Sequence, residues 1–170
     1  MNTALTEELK SLFSDVEVAA EEEARLVVNT KKGNVLSILS YLKDSGFDHL
    51  TLVSCVDWIN EAQLELVYTL SPYMKDNDTY TDKDKVHVIL KTRIPRERPE
   101  FQTVTPIFPN AEPYERELHE LYGVHFQGHR RLTPLLLERE YEIPPFRKDF
   151  DMRKYVEDVF GSIPAVQDQG

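Results

Sequence analysis

In this 170-residue chain the side chains with the most chemical potential lie between Pro109 and His129, in PNAEPYERELHELYGVHFQGH. His119, His125 and His129, with the carboxylates Glu115, Glu117 and Glu120, are residue types that bind metals or move protons. Their spacing supports neither use. A zinc helix of the HExxH kind sets two imidazoles one turn apart with a general base between them, and zinc fingers bring cysteines; this stretch has neither pattern. The three glutamates fall on different helix faces, with no nucleophile motif beside them. The single cysteine, Cys55, sits in the apolar run LTLVSCVDW, where a buried, inert thiol is expected. Without a glycine-rich phosphate loop or a cysteine cluster, nucleotide, flavin and iron–sulfur binding have no support in the sequence. The expectation is therefore no catalytic residue, no metal and no cofactor in this chain.

These residues need a helix to position them. Pro113 at a first turn and Gly123 just past an end predict one over Tyr114 to Tyr122. Steps of about 100° put Tyr114, Leu118, Leu121 and Tyr122 on one face, with Glu117 at its margin. Arg116 and Glu120, and likewise Glu115 and His119, then lie on the opposite side. Two readings stay open at this point. One is an exposed helix laced with ion pairs worth about 0.3–0.5 kcal/mol each. In the other, Glu117 is buried beside the apolar face and needs a cationic or donor partner.

The rest of the chain supplies a scaffold. Leu5, Leu9, Leu12 and Phe13 recur at helical spacing in the first segment, and RLVVN fits a strand. Thr30 or Asn34 opens a second helix over VLSILSYLKDSG, with Gly46 as its left-handed cap. HLTLVSCVDWI and LELVYTLSPY read as a hairpin turning at Asn60-Glu61-Ala62, and after a polar loop from Met74 to Asp84 comes a further strand in KVHVILKTRIP. This order predicts an α+β fold, one mixed or antiparallel sheet covered by two helices. Nine of the ten prolines lie beyond Ile94, eight of them from Pro95 to Pro145, and each removes a backbone donor. Residues 1–93 are thus read as the α+β domain and 94–170 as a proline-rich, extended docking tail. That tail carries one short helix and is not an independent domain.

Totals narrow the function classes. A formal charge of −10 argues against nucleic acid, because counterion release needs clustered lysine and arginine facing phosphate. No run approaches the roughly 20 apolar residues that cross a bilayer. The first residues lack the basic and apolar regions of a signal peptide, so a cytoplasmic location is expected.

The segment TPIFPNAEPYERELHELYGVHFQGH, followed by PPFRKDF, resembles the roughly 30-kDa subunit family of respiratory complex I and its relatives in membrane-bound hydrogenases and sulfur-reducing complexes. The triplet Glu115-Arg116-Glu117, then Glu120, Leu121-Tyr122 and His129, falls at the spacings of the family signature. Arg147-Lys148-Asp149-Phe150 matches a second one. The resemblance implies a non-catalytic subunit on the cytoplasmic side of the cell membrane, touching the membrane only through its complex. Its partners would be a hydrogenase-like large subunit and a small iron–sulfur subunit, which carry the clusters. Glu115, Arg116, Glu117, Glu120, Tyr122, His129, Arg147, Lys148 and Asp149 are then expected to dock those partners through charge-assisted contacts. NADH–quinone, hydrogenase and sulfur-reducing complexes all remain open. So do two unrelated readings, a free-standing acidic adaptor and a small histidine-site metallohydrolase.

Overall fold

A computed structural model describes residues 2–22, 24–73, 86–137 and 141–161. The polar loop expected from Met74 to Asp84 lies outside them. Helix α1 (Asn2–Leu12) leads into strands β1 (Val16–Glu22) and β2 (Arg25–Thr30), helix α2 (Val35–Asp44), and strands β3 (His49–Trp58), β4 (Gln63–Ser71) and β5 (His87–Pro95). Then come β6 (Glu100–Gln102), α3 (Ala111–Tyr122), β7 (His125–Gln127) and α4 (Met152–Phe160).

The first five strands form one mixed sheet in the order β1-β2-β5-β4-β3. Every pair is antiparallel except β2 with β5, which aligns Val28 with Leu90 in parallel. That pair needs a crossover, and α2 with the β3–β4 hairpin provides it. Alternation decides the faces: Leu64, Leu66, Tyr68 and Leu70 of β4 and Val88, Leu90 and Ile94 of β5 are all buried. Against this face pack Leu9 of α1, Ile38, Leu39 and Leu42 of α2, and Leu118 of α3. The predicted α+β architecture is what forms.

The helix ends follow from glycine. Gly46 (φ +100°) closes α2 in a Schellman arrangement, with Phe47 N–H donating to Leu42 and Gly46 N–H to Lys43. Gly123 (φ +76°) closes α3, its N–H donating to the carbonyl of His119 at 2.9 Å and the N–H of Val124 to that of Leu118 at 3.4 Å.

Beyond Ile94 the sequence predicts one short helix, and the described residues form two. Helix α4 is capped by Asp151, whose carboxylate accepts from the N–H groups of Arg153 and Lys154. The same region adds a two-stranded parallel sheet that aligns Phe101 of β6 with Phe126 of β7. Phe101, Val104, Phe108, Ala111, Val124 and Phe126 join the core built by the five-stranded sheet.

Candidate functional site

Helix α3 begins at Ala111, earlier than the spacing predicted, and its buried face takes in a carboxylate. Ala111, Glu115, Leu118 and Leu121 are its buried residues. Glu115, expected on the solvent side opposite the apolar face, is instead 0% exposed. Ala111, Glu115 and Leu118 follow the i, i+4, i+7 rhythm of one helix face, so the sheet takes Glu115 in along with its apolar neighbours. Its carboxyl accepts from Thr103 Oγ1 at 2.6 Å and from the N–H of Val104 at 2.7 Å. These bonds tie α3 to the segment that follows β6.

Burial pushes the Glu115 carboxyl up to about 7, and the Thr103 and Val104 donors only partly offset this. The nearest ionisable partner is His129, whose side chain is buried too and whose Nε2 lies 3.9 Å from Oε2 of Glu115. Nδ1 of His129 accepts the N–H of Arg131 at 3.2 Å, which leaves the ring proton on Nε2, facing Glu115 and the carbonyl of Glu112.

Arg116 and Glu120 do not pair with each other. Arg116 donates from Nε to the carbonyl of Thr133 (2.9 Å) and from Nη2 to that of Pro134 (2.8 Å), and Glu112 lies 3.5 Å from its Nη1. Glu120 accepts the consecutive N–H groups of Leu135, Leu136 and Leu137. A cation holding two carbonyls and an anion holding three amides fix one short piece of tail on both of its polar sides.

The second signature motif is anchored in the same way. Arg147 donates from Nε to the carbonyl of Tyr122 at 2.8 Å, at the C-terminal end of α3 where a cation suits the helix dipole. Its guanidinium and Pro144 pack so tightly on Gly123 that an added Cβ would meet Pro144 Cγ at 3.0 Å. Gly123 is thus required twice, for its positive φ and for this close approach. The ring of Phe146 meets that of Tyr122 edge-on at 5.8 Å. Asp149 receives a two-pronged contact from Arg96 at 2.6 and 3.1 Å, while the backbone N–H of Lys148 donates to Asp57 at 2.9 Å.

Asp57 and Arg96 went unnoticed in the sequence, yet they hold this motif to the sheet. Asp57, 4% exposed on β3, is gripped by Arg96 through Nε (2.7 Å) and Nη2 (3.0 Å). The fork of Arg96 beside them holds both Asp57 and Asp149 below the usual carboxylate range. A signal existed: Val53, Cys55 and Asp57 share the inward register of β3, and an acid in that row requires a partner. Cys55 is buried as expected. Burial and the neighbouring Asp57 push its thiol up to about 12.

Among the nine residues expected to dock a partner, the structure therefore finds internal bonds for the side chains of Glu115, Arg116, Glu120, Arg147 and Asp149. His129 faces inward with them. Lys148 is bound through its backbone and its side chain is exposed. Tyr122 is half-buried under Phe146. Glu117 is half-exposed and, among the described residues, makes no hydrogen bond or ion pair. His119 and His125 lie edge-on with ring centroids 6.4 Å apart, and His119 Nδ1 meets the carbonyl of Val124 at 2.9 Å. Among the described residues no three His, Cys, Asp or Glu side chains are disposed to hold a metal ion.

Fold and site define an α+β subunit type in which the charged groups of one helix shape the chain that follows it. The chain belongs to the family described as "Respiratory-chain NADH dehydrogenase, 30 Kd subunit", whose sequence model matches residues 28–156. It is 36% identical over 137 residues to a subunit of the F(420)H(2) dehydrogenase of Methanosarcina mazei, covering 79% of this chain and 81% of that one. With a subunit of the NADH-quinone oxidoreductase of Agrobacterium fabrum it shares 31% identity over 152 residues, covering 86% and 69% respectively. A chain in the structure of the membrane-bound sulfane sulfur reductase, an archaeal respiratory membrane complex, superposes with a TM-score of 0.81. That chain is 30% identical, and the match covers 99% of this chain and 95% of the other. The trypsin-resistant fragment of Nqo5 shares the fold, with a TM-score of 0.64 at 22% identity, over 78% of this chain and 100% of the fragment.

Proposed function

We infer that this chain is a non-catalytic, peripheral subunit of a complex I-like membrane oxidoreductase, placed on the cytoplasmic side. There it braces a hydrogenase-like large subunit and a small iron–sulfur subunit that carry the redox centres. The whole complex would pass electrons from a donor such as NADH or ferredoxin to quinone, protons or sulfur compounds. The strongest support is the near full-length likeness, at 30% identity, to a chain of an archaeal respiratory membrane complex. The commitment of the signature charges to internal bonds agrees with a role in shape and recognition. No helix among the described residues is long and apolar enough to cross a membrane, so attachment runs through partners in this reading.

The test is extraction of host membranes in mild detergent, capture through an affinity tag on this chain, and mass spectrometry of what comes with it. The expected result is a stoichiometric set of other subunits, including at least one iron–sulfur protein. Recovery of the chain alone from both membrane and soluble fractions would end this reading.

A further inference from the structure

Between helix α4 and the stretch 141–150 lies a cleft of about 220 Å³. Asp151, Lys154, Tyr155 and Asp158 stand at i, i+3, i+4 and i+7, so one face of α4 turns toward it. The rings of Tyr141, Phe150 and Tyr155 line it, each half-buried, with centroids 4.9 to 5.8 Å apart. Around them, among the described residues, are four carboxylates, Glu142, Asp149, Asp151 and Asp158, and one ammonium, Lys154. Two of the carboxylates are already engaged: Asp149 accepts the fork of Arg96, and Asp151 caps the first amides of α4. Glu142 and Asp158 are exposed and, among the described residues, form no hydrogen bond or ion pair, with Lys154 or any other group. With both Lys154 and the Arg96 behind Asp149 counted, two negative charges remain in excess. The amino end of α4 contributes a partial positive charge of about one half, too little to reverse that sign.

Resting on the proposed role as a complex subunit, we propose that this cleft is a socket for one arginine side chain of a neighbouring protein subunit. A guanidinium stacks flat on aromatic rings and is drawn to them within about 6 Å of a centroid. Its N–H groups then meet Glu142 and Asp158 in charge-assisted hydrogen bonds. The chain uses this chemistry internally elsewhere. Lys32 stands over Phe101 at 6.0 Å, Lys43 over Phe108 at 5.3 Å and Arg93 over Trp58 at 4.9 Å. Over Phe150 and Tyr155 no cation of the described residues stands, although carboxylates surround them. Size and chemistry narrow the occupant. The volume suits one long side chain and falls below the roughly 300–1,000 Å³ of small-molecule sites. A bare calcium or magnesium ion wants about six or more oxygens and gains no ligand from the rings. A quaternary ammonium is attracted by the rings but has no N–H for the carboxylates. Lysine, a compact and strongly hydrated point charge, uses the carboxylates and gains less from stacking. Lys154 opposes any incoming cation, so its removal tests the sign of the site.

An introduced thiol beside the cleft locates the occupant without altering the lining. Cys55 is the only cysteine and is buried, and Met152 is 60% exposed, so Met152→Cys gives the full chain one accessible thiol. The tagged variant is expressed in the host, extracted with its complex in mild detergent, labelled with a maleimide–benzophenone and illuminated. The expected product is a crosslink to a different protein subunit, at a peptide carrying an arginine next to the crosslinked residue. A complex that co-purifies but crosslinks within this chain, to a second copy, to phospholipid, to a peptide without arginine or to nothing overturns the inference and leaves the subunit reading standing. Failure of the complex to co-purify removes both. Recovery of that subunit in variants is the second arm. Glu142→Gln with Asp158→Asn changes only exposed side chains and is expected to lower recovery about tenfold. Arginine to glutamine at the crosslinked site lowers it by a similar factor, and the two changes together cost no more than either alone, because they break one contact. Lys154→Gln is expected to keep recovery or raise it. Unchanged recovery in the first variant, full additivity, or a fall with Lys154→Gln overturns the inference.

Discussion

Among the described residues two carboxylates are buried, and they are driven in opposite directions. Asp57, 4% exposed, titrates below its usual range, whereas Glu115, 0% exposed, is raised to about 7. Both are hydrogen-bonded to a backbone N–H. What separates them is Arg96, whose guanidinium forks onto Asp57 within 3.0 Å, while Glu115 meets the Thr103 hydroxyl, with the imidazole of His129 no nearer than 3.9 Å. Desolvation raises a carboxyl unless a cation is close and well aligned, and a bidentate arginine outweighs it. The two groups do different structural work as a result. Asp57 is an ionic anchor that fastens the second signature motif to the sheet, and Glu115 is a hydrogen-bonded peg that fixes α3 over the core.

The largest effect is expected from removing the cation. Arg96→Met leaves Asp57 buried with the Lys148 amide as its remaining donor, and loss of one partner of a buried pair costs about 3–5 kcal/mol. Urea unfolding at pH 7 measures it. A cost under about 1 kcal/mol would show that water reaches Asp57 and that the contrast with Glu115 is one of exposure.

Next comes the pH dependence of stability. The raised value at Glu115 means that the folded state holds a proton the unfolded state has lost between pH 4.5 and about 7. Stability therefore falls as pH rises through that window, by up to about 3 kcal/mol in total. Asp57 and Asp149 work the other way. Their contribution is present above the unfolded value of about 4 and is lost as pH falls through their lower folded values. Glu115→Gln is expected to abolish the decline between pH 4.5 and 7 and to leave the acid limb unchanged, as read from urea midpoints across pH. An unaltered decline would assign it to another group.

These anchors also mark where sequence reasoning stops. Strands β4 and β5 were legible because alternation in LELVYTLS and KVHVIL matches a half-buried sheet, and α2 and α3 were legible from Gly46 and Gly123. Glu115 stands three residues before Leu118 and seven before Tyr122, beside the apolar face of any helix through them; it was assigned to solvent because its residue type, not its angle, argues for water, and its donors Thr103 and the Val104 amide lie in another segment. Helix α4 was missed because MRKYVEDVF interleaves charge with few apolar residues, and only Tyr155 and Val156 among its described side chains are half-buried. The stacking of Tyr155 on Tyr141 at 4.9 Å is a tertiary contact with no local signature. The alignment of β6 with β7 and the grip of Arg96 on Asp57 and Asp149 are likewise long-range. The pairing of Arg116 and Glu120 with tail backbone was hidden for a further reason, since a backbone partner leaves no complementary residue type to find.

A smaller change sharpens the ionic side of the comparison. Asp149 is about two-fifths exposed, so solvent screens its pair with Arg96. Asp149→Asn is expected to cost about 0.5–1 kcal/mol, far less than Arg96→Met, because Asp57 keeps its own fork. Equal costs for the two would make Asp149 the main anchor. The smallest effect belongs to Leu136→Asp, within about 0.5 kcal/mol of the unaltered chain in thermal or urea unfolding, since neither carboxylate anchor uses that side chain. A large loss there would mean that the Leu136 side chain packs on its own chain.

Amide hydrogen exchange on the isolated, unaltered protein measures the clasp most directly. If the signature charges shape the tail, the N–H groups of Leu135, Leu136 and Leu137 on Glu120, of Phe146 on Leu121, and of Lys148 on Asp57 exchange well below unfolded-chain rates without any partner. Glu120→Gln then speeds the first three and leaves Lys148 unchanged. Exchange of all five at unfolded-chain rates in the free protein would contradict the account, because the tail would then take its shape only from its partners.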